Sequence, residues 1–449
     1  MSDSDNTKLS GKVWIGGVLG AALFIAALIW GPWLVEGDHL RDKKGELVSS
    51  AGIIITGLRT ALIAIVAGVI TAAGLLYTHK SHEQTVKKDR EQAELTREGQ
   101  VTGRYVEAVK LLASEKVPER LGGIYALERI MTDSDRDHRT IVEVLSAFTR
   151  TKLQEESNYS EEVEAPGSQA GKRTMLRMLD EDVKAALTVL TRRRPEQRQA
   201  VTTDISGAQL SHYDLDEVDW QWMNLSRAHL EAAHLRDADL EGAMLDAADL
   251  DGAVLTKACL RGASLEKASL RRANLSRADL AHTNLDGALL QNAQMERVNL
   301  SGARLESAGL ERAHLIAACL EKARMPKARL KGASLCGANL QAATLKKADL
   351  SGANLQEANL KGALLDDANL EGTNLDRTDL RTAQGLETRN LVRARIYRST
   401  ILPPNLASDP VVQNRIENCE DEEEAREEAA IRAALEHEEQ EPLMVGEGA

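Results

Sequence analysis

The sequence predicts a mixed architecture: two membrane-spanning helices at the N-terminus, a small α-helical module, and a long repeat region stacked from thin, similar layers. Three observations carry that expectation. Two apolar runs open the chain at 13–35 and 51–78. Apolar stripes at helical spacing follow, between 105 and 190. From Ile205 to Leu380, Ile, Leu, Met or Trp then returns at every fifth position. Composition agrees. The chain of 449 residues has room for two or three domains, and only 3% of its residues are aromatic. A core so poor in rings has to be filled with Leu and Ala in many small layers.

The first run, VWIGGVLGAALFIAALIWGPWLV, holds no charge over 23 positions. As a helix it extends about 34 Å, enough to cross a hydrocarbon core. Trp14, Trp30 and Trp33 lie near its ends, where indoles favour the interface. It is too long for the apolar part of a signal peptide and lacks a small-x-small cleavage site. The second run is interrupted only by Arg59, leaving 19 uncharged residues from Thr60 to Thr78. Arg59 is expected to snorkel to the near surface. The loop at 36–50 carries Arg41, Lys43 and Lys44, while the outer flanks carry Lys8, Lys12, Lys80, Lys87, Lys88 and Arg90. That bias predicts a cytoplasmic N-terminus at 1–12, an external loop, and a cytoplasmic bulk.

Residues 79–100 are densely charged and read as a solvated helical stalk; His79 and His82 have no third metal ligand nearby. Four stripes follow within a helical module ending near 153 and a helix at 174–196. They are Tyr105, Val109 and Leu112; Leu121, Ile124, Leu127 and Met131, behind Pro118; Ile141, Val144, Leu145 and Phe148; and Leu179, Val183, Leu187 and Leu190. Facing stripes of this kind form a mutual core. The polar segment 154–173 reads as a linker. Its GSQAGKR at 167–173 is no phosphate-binding loop: its glycines are too close, Arg173 stands where Ser or Thr belongs, and no strand precedes it.

The repeat has 36 consecutive units without a register slip. Two residues before the central position stands Ala at nearly every repeat, relaxing to Tyr213, Val218, Met223 and Val298, or to Thr at 283, 373 and 378. Asp or Asn often precedes the centre, as at Asp239, Asn274, Asp279 and Asn354. Neither a helix, with apolar spacings of three and four, nor a strand, with spacings of two, explains a period of five. The pattern resembles the A(D/N)LXX repeat of the pentapeptide-repeat family. That resemblance implies a right-handed quadrilateral β-helix with four repeats per coil. Each centre and the residue two before it point inward, and the other three face water. Nine coils at parallel-strand spacing would make a rod of about 43 Å over residues 201–384. The helix at 174–196 is expected to cap the first coils, near Tyr213, Trp220, Trp222 and Met223. Leu391, Ile396, Ile401 and Leu402 are expected to cap the far end within 385–411, before an acidic tail at 412–449. Residues 120–148 and 182–193 also resemble the helical region before the repeats in membrane-anchored actinobacterial members of the family.

Some members imitate DNA and inhibit type II topoisomerases, so a DNA-mimicking regulator of a topoisomerase or other nucleic-acid-binding protein is the alternative. The surface argues against it. The net charge is −13, but residues 420–441 hold eleven acids against Arg426 and Arg432, and 201–382 hold 26 acids against 21 bases. That balance is weak for a phosphate-backbone imitation. The two Phe residues, which mimics often carry in the repeats, lie outside them at Phe24 and Phe148. The anchors also hold the rod away from the nucleoid. The sharpest surface feature is basic: Arg324, Lys327, Lys346 and Lys347 on one face of successive coils, with Arg329 and Lys331 on the adjacent face. It suits an acidic partner or anionic lipid. Cys259, Cys319, Cys336 and Cys419 show no metal spacing and read as free thiols. His212, His229, His234, His282 and His314 are scattered. No catalytic, cofactor-binding or metal residue is expected. The expected protein is non-catalytic and fixed in the cytoplasmic membrane through two helices. Its cytoplasmic rod serves protein–protein interaction or scaffolding, without nucleic acid.

Overall fold

The computed structural model describes residues 19–31, 34, 41, 43–44, 46, 49–163, 176–193 and 195–440. The chain divides into two compact units, Met1–Val101 and Thr102–Ala449.

In the first unit, α1 (Leu19–Gly31) accompanies α2 (Ala51–Leu112). Only α2 is long and apolar enough to cross a membrane among the described residues. The rest of the expected span at 13–35 lies almost wholly outside them. Leu23, Trp30, Ile53, Leu75 and Leu76 are all exposed. Arg59 departs from the snorkelling expectation: its Nε donates to the Leu28 carbonyl of α1 at 3.0 Å. The second span and the stalk are one uninterrupted helix. Residues 79–100 contain no proline, and pairs such as His79–Glu83, at 3.4 Å, lie one turn apart along it. The Tyr105 stripe belongs to the same helix.

The second unit begins its helical module with α3 (Val117–Asp133), which has Pro118 in its first turn, and α4 (His138–Val163). α5 (Glu181–Thr191) and α6 (Pro195–Ala200) follow. Ile124, Leu127, Ile130, Ile141, Val142, Leu145, Val183, Ala186 and Leu190 form its interior, whereas Val144 and Phe148 are only half-buried. α4 runs ten residues into the segment read as linker, because QEESNYSEEV contains neither Gly nor Pro. Residues 164–175 lie outside the described residues.

The repeat region is a right-handed β-helix. Parallel bridges join residues 20 apart along its length, from Asp204↔Asn224 to Leu364↔Gln384, so four pentapeptides close each coil. Leu280 shows the bonding: its N–H donates to the Asn299 carbonyl at 2.7 Å, and the Asn299 N–H donates to the Ala278 carbonyl at 3.0 Å. Corners are β-turns, such as Ala278 N–H to Leu275 C=O at 3.0 Å. Nearly every Leu and the Ala two before it are buried, with Met295 and Met325 substituting at centres. Where Ala relaxes to Thr, the hydroxyl is used. Thr283, Thr373 and Thr378 each donate to the carbonyl of a central Leu 23 residues earlier, at 2.8 Å.

Two features correct the expectation that the other three positions simply face water. The Asp or Asn before the centre accepts the N–H two residues on: Ser276 to Asn274, Ala281 to Asp279 and Gln356 to Asn354, each at 3.1 Å. This side chain closes the corner as an Asx turn, which explains the preference for Asp and Asn. The second residue after each centre, from Gly207 to Arg377, has positive φ. The 24 non-glycine residues in that column include no Val, Ile or Thr, as the left-handed region dictates for β-branched side chains. Arg277, at φ 58°, tests this. Arg277→Val is expected to cost about 1–3 kcal/mol, and Arg277→Gly to stay within about 1 kcal/mol of the parent, both read by urea denaturation.

Both rod ends are covered. At the start, residue 177 adds a bridge to Tyr213, and the Arg177 guanidinium lies 4.7 Å from the Tyr213 ring centre. Arg150 of α4 donates to Asp204 at 2.6 Å, and Leu153, Val183 and Leu187 join the rod's core. Trp220 is buried, while the half-buried Trp222 lies over Gly242; a Cβ there would come within 2.4 Å of the indole. At the far end the period stops at Gly385 (φ +77°), where an added Cβ would meet the Asp366 nitrogen at 2.5 Å. Arg395 and Ile401 continue two rungs, flanked by α7 (Thr388–Leu391) and α8 (Pro404–Ala407). Leu391, Ile396, Leu402 and Leu406 are buried, but Ile401 is exposed. The acidic tail is helical: α9 spans Pro410–Gln440 and lays Val412, Ile416 and Cys419 on the cap. Residues 412–419 therefore belong to the cap, and 441–449 lie outside the described residues.

Candidate functional site

The rod is the part of the chain whose side chains are held in a fixed lattice. The basic residues fall where coil arithmetic puts them. Arg324 bridges Thr344, the Lys327 N–H donates to the Lys346 carbonyl at 2.8 Å, and Arg329 bridges Asp349 on the next side. All six, with Lys331 and Lys347, are exposed. Their charge is partly spent on acids one coil away. Lys327 reaches Glu306 at 3.7 Å, Arg329 reaches Glu311 at 2.7 Å, and Lys346 reaches Asp366 at 3.6 Å. Exposed pairs of this kind contribute little stability, but they dilute the patch to Arg324, Lys331 and Lys347.

Gly309 stands between Gln291 and Arg329 at a position usually filled by a polar side chain. A Cβ there would lie 2.3 Å from Gln291 Nε2 and 2.7 Å from Arg329 Nη2, so the missing side chain is what admits these two.

Cys259 and Cys319 share a column through Asp279 and Asn299, three rungs apart. Each rung is about 4.8 Å, which places them beyond disulfide reach. His234 and His314 also share a column, four rungs apart, so they do not cluster. One grouping went unseen in the sequence. Asp239, Glu241 and Cys259 each bring a ligand atom within 4.8 Å of the others. The coil closure places Cys259 beside Asp239, and the corner folds Glu241 back to them. The set is a poor metal cradle. Gln221 already donates to Asp239 at 2.5 Å. Burial, then the carboxylates of Asp239, Glu241 and Asp279, push the Cys259 thiol pKa up, which keeps it protonated.

Comparison with known proteins bears on the repeats alone. Residues 203–381 match the family model for pentapeptide repeats, in eight copies. Among solved structures, HetL is a pentapeptide repeat protein involved in heterocyst differentiation regulation in the cyanobacterium Nostoc sp. strain PCC 7120. It is 29% identical over 44% of this chain and 83% of its own, with a TM-score of 0.25. QnrB1, a plasmid-mediated fluoroquinolone resistance protein, is 18% identical over 43% of this chain and 91% of its own, with a TM-score of 0.32. Rfr23 of the cyanobacterium Cyanothece 51142 is 39% identical over 23% of this chain and 62% of its own, with a TM-score of 0.11. No curated protein matches the chain.

Proposed function

We propose that this chain, whose residues 203–381 belong to the pentapeptide-repeat family, is a non-catalytic protein fixed in the cytoplasmic membrane by two N-terminal helices. Its β-helical rod then presents a cytoplasmic surface to a protein partner. The observation that carries this reading is the apolar segment of α2, none of which is buried in the most apolar 18-residue window. A soluble protein rarely leaves so large an apolar patch uncovered. The Arg59 to Leu28 hydrogen bond supports a helical hairpin, because it gives the guanidinium an acceptor that lipid would not supply. The economy of the repeat supports an interaction role. Two residues of each five are committed to the core, one to the corner and one to a left-handed turn, so the surface is a regular lattice whose exposed side chains vary freely. Arg324, Lys331 and Lys347 are the part of that lattice we assign to an acidic partner.

Fractionation tests the anchoring. The full chain should sediment with membranes through a high-salt, alkaline wash and leave them only in detergent, while a chain beginning at Thr102 should be soluble. Recovery of the full chain in the supernatant without detergent would discard the reading.

A further inference from the structure

The helical module contains a feature that neither the rod nor the anchor uses. A cavity of about 350 Å³ is lined by Glu128 and Thr132 of α3, by Asp135 between α3 and α4, and by Arg192, Arg193 and Gln197 near α5 and α6. His138 also lines it. That ring is only 8% exposed, and neither nitrogen has a hydrogen-bond partner among the described residues. Burial, reinforced by the positive charge of Arg193, pushes its pKa down, so the ring is neutral at pH 7. The Met131 carbonyl and Asp135 act in the opposite sense from nearby.

Arg193 is buried as well, at 6% exposure. It donates to the Leu190 carbonyl at 2.8 Å, the Val201 carbonyl at 2.7 Å and Thr203 Oγ1 at 2.5 Å. All three acceptors are neutral. Burial and the Arg198 charge pull its pKa down to about 10, so it stays protonated at pH 7. The neighbouring cations have carboxylates: Arg192 faces Glu128 at 3.4 Å and Arg198 holds Asp219 at 2.9 Å. Arg193 has none. A buried cation without a counter-ion is costly, and a guanidinium has five N–H donors, of which these bonds use three.

We infer that this cavity binds inorganic phosphate, which keeps a P–OH proton at pH 7. Arg193 supplies the counter-charge and two spare donors. Neutral His138 and the Asp135 carboxylate supply acceptors for a P–OH proton. The acceptors matter because they select: sulfate has the same shape and no proton at pH 7, so it would leave His138 without a donor and would face Asp135 as a like charge. This site is independent of the proposed membrane and scaffold roles.

The test uses the full chain in detergent, titrated with inorganic phosphate and with sulfate at equal ionic strength. Binding is followed by calorimetry and by the melting temperature. The expected result is saturable phosphate binding that raises the melting temperature, with sulfate at least about tenfold weaker. His138→Leu should lose phosphate binding by about tenfold or more without a lower melting temperature in its absence. Asp135→Asn, at an exposed position, should narrow the preference for phosphate over sulfate by removing the like charge, while His138 keeps part of it. No saturable phosphate binding in the parent, equal binding of sulfate, or unchanged phosphate binding in His138→Leu would each overturn it.

Discussion

Leu280→Asp should melt the middle of the rod. Leu280 is fully buried, and its backbone takes part in the ladder between its own coil and the next. Removing the side chain forfeits about 1.5–3 kcal/mol of apolar burial. The carboxylate then sits among Leu and Ala with no donor, so the total should reach about 4–5 kcal/mol, the upper end for one substitution. In a structure of stacked repeats the loss is local first. Hydrogen exchange should therefore show the coils around Leu260, Leu280 and Leu300 losing protection, while the helical module keeps its own. Leu280→Met should cost less than about 1.5 kcal/mol, since Met295 and Met325 already occupy buried centres.

Asp182→Ala should be the most damaging single change in the helical module. Asp182 is 0% exposed and accepts from Arg120 Nε at 2.5 Å, while Arg120 is 7% exposed and also donates to the Ser114 and Glu115 carbonyls. The pair ties the start of α3 to the start of α5. Taking away one partner of a buried ion pair strands the other charge and costs about 3–5 kcal/mol. Replacing both, as in Arg120→Met with Asp182→Leu, should recover most of that. Denaturation of parent, single and double variants measures it. A single variant as stable as the parent would show that the pair is not buried as described.

What the sequence could tell follows from what each feature needs. The centre and Ala columns are legible because they require only apolar residues of two sizes at a fixed spacing. The faces of the basic patch follow once the coil is known to hold 20 residues. Three things were hidden. The left-handed column holds Arg, Lys, Glu, His and Ala as well as Gly, so its conformational role is masked by ordinary surface chemistry. The corner role of Asp and Asn depends on a bond to a backbone N–H, which composition does not register. Arg120 and Asp182 lie 62 residues apart, and Asp239, Glu241 and Cys259 meet only after coil closure. Helix limits were the other loss. α2 and α4 both run past the boundaries drawn for them, since a change from apolar to charged composition alters what a helix faces without ending it.

The coil register underlies every placement on the rod, and a thiol cross-link reads it directly. In a chain whose other three cysteines are serine, Cys259 is paired with either Asp279→Cys or Leu289→Cys. Cys259 and Asp279 bridge on adjacent rungs, about 4.8 Å apart, whereas Leu289 lies on another side of the square. A short thiol-to-thiol reagent, with the product identified by peptide mass spectrometry, should join 259 to 279 and fail with 289. Efficient joining of 259 to 289, or none to 279, would contradict a coil of four pentapeptides.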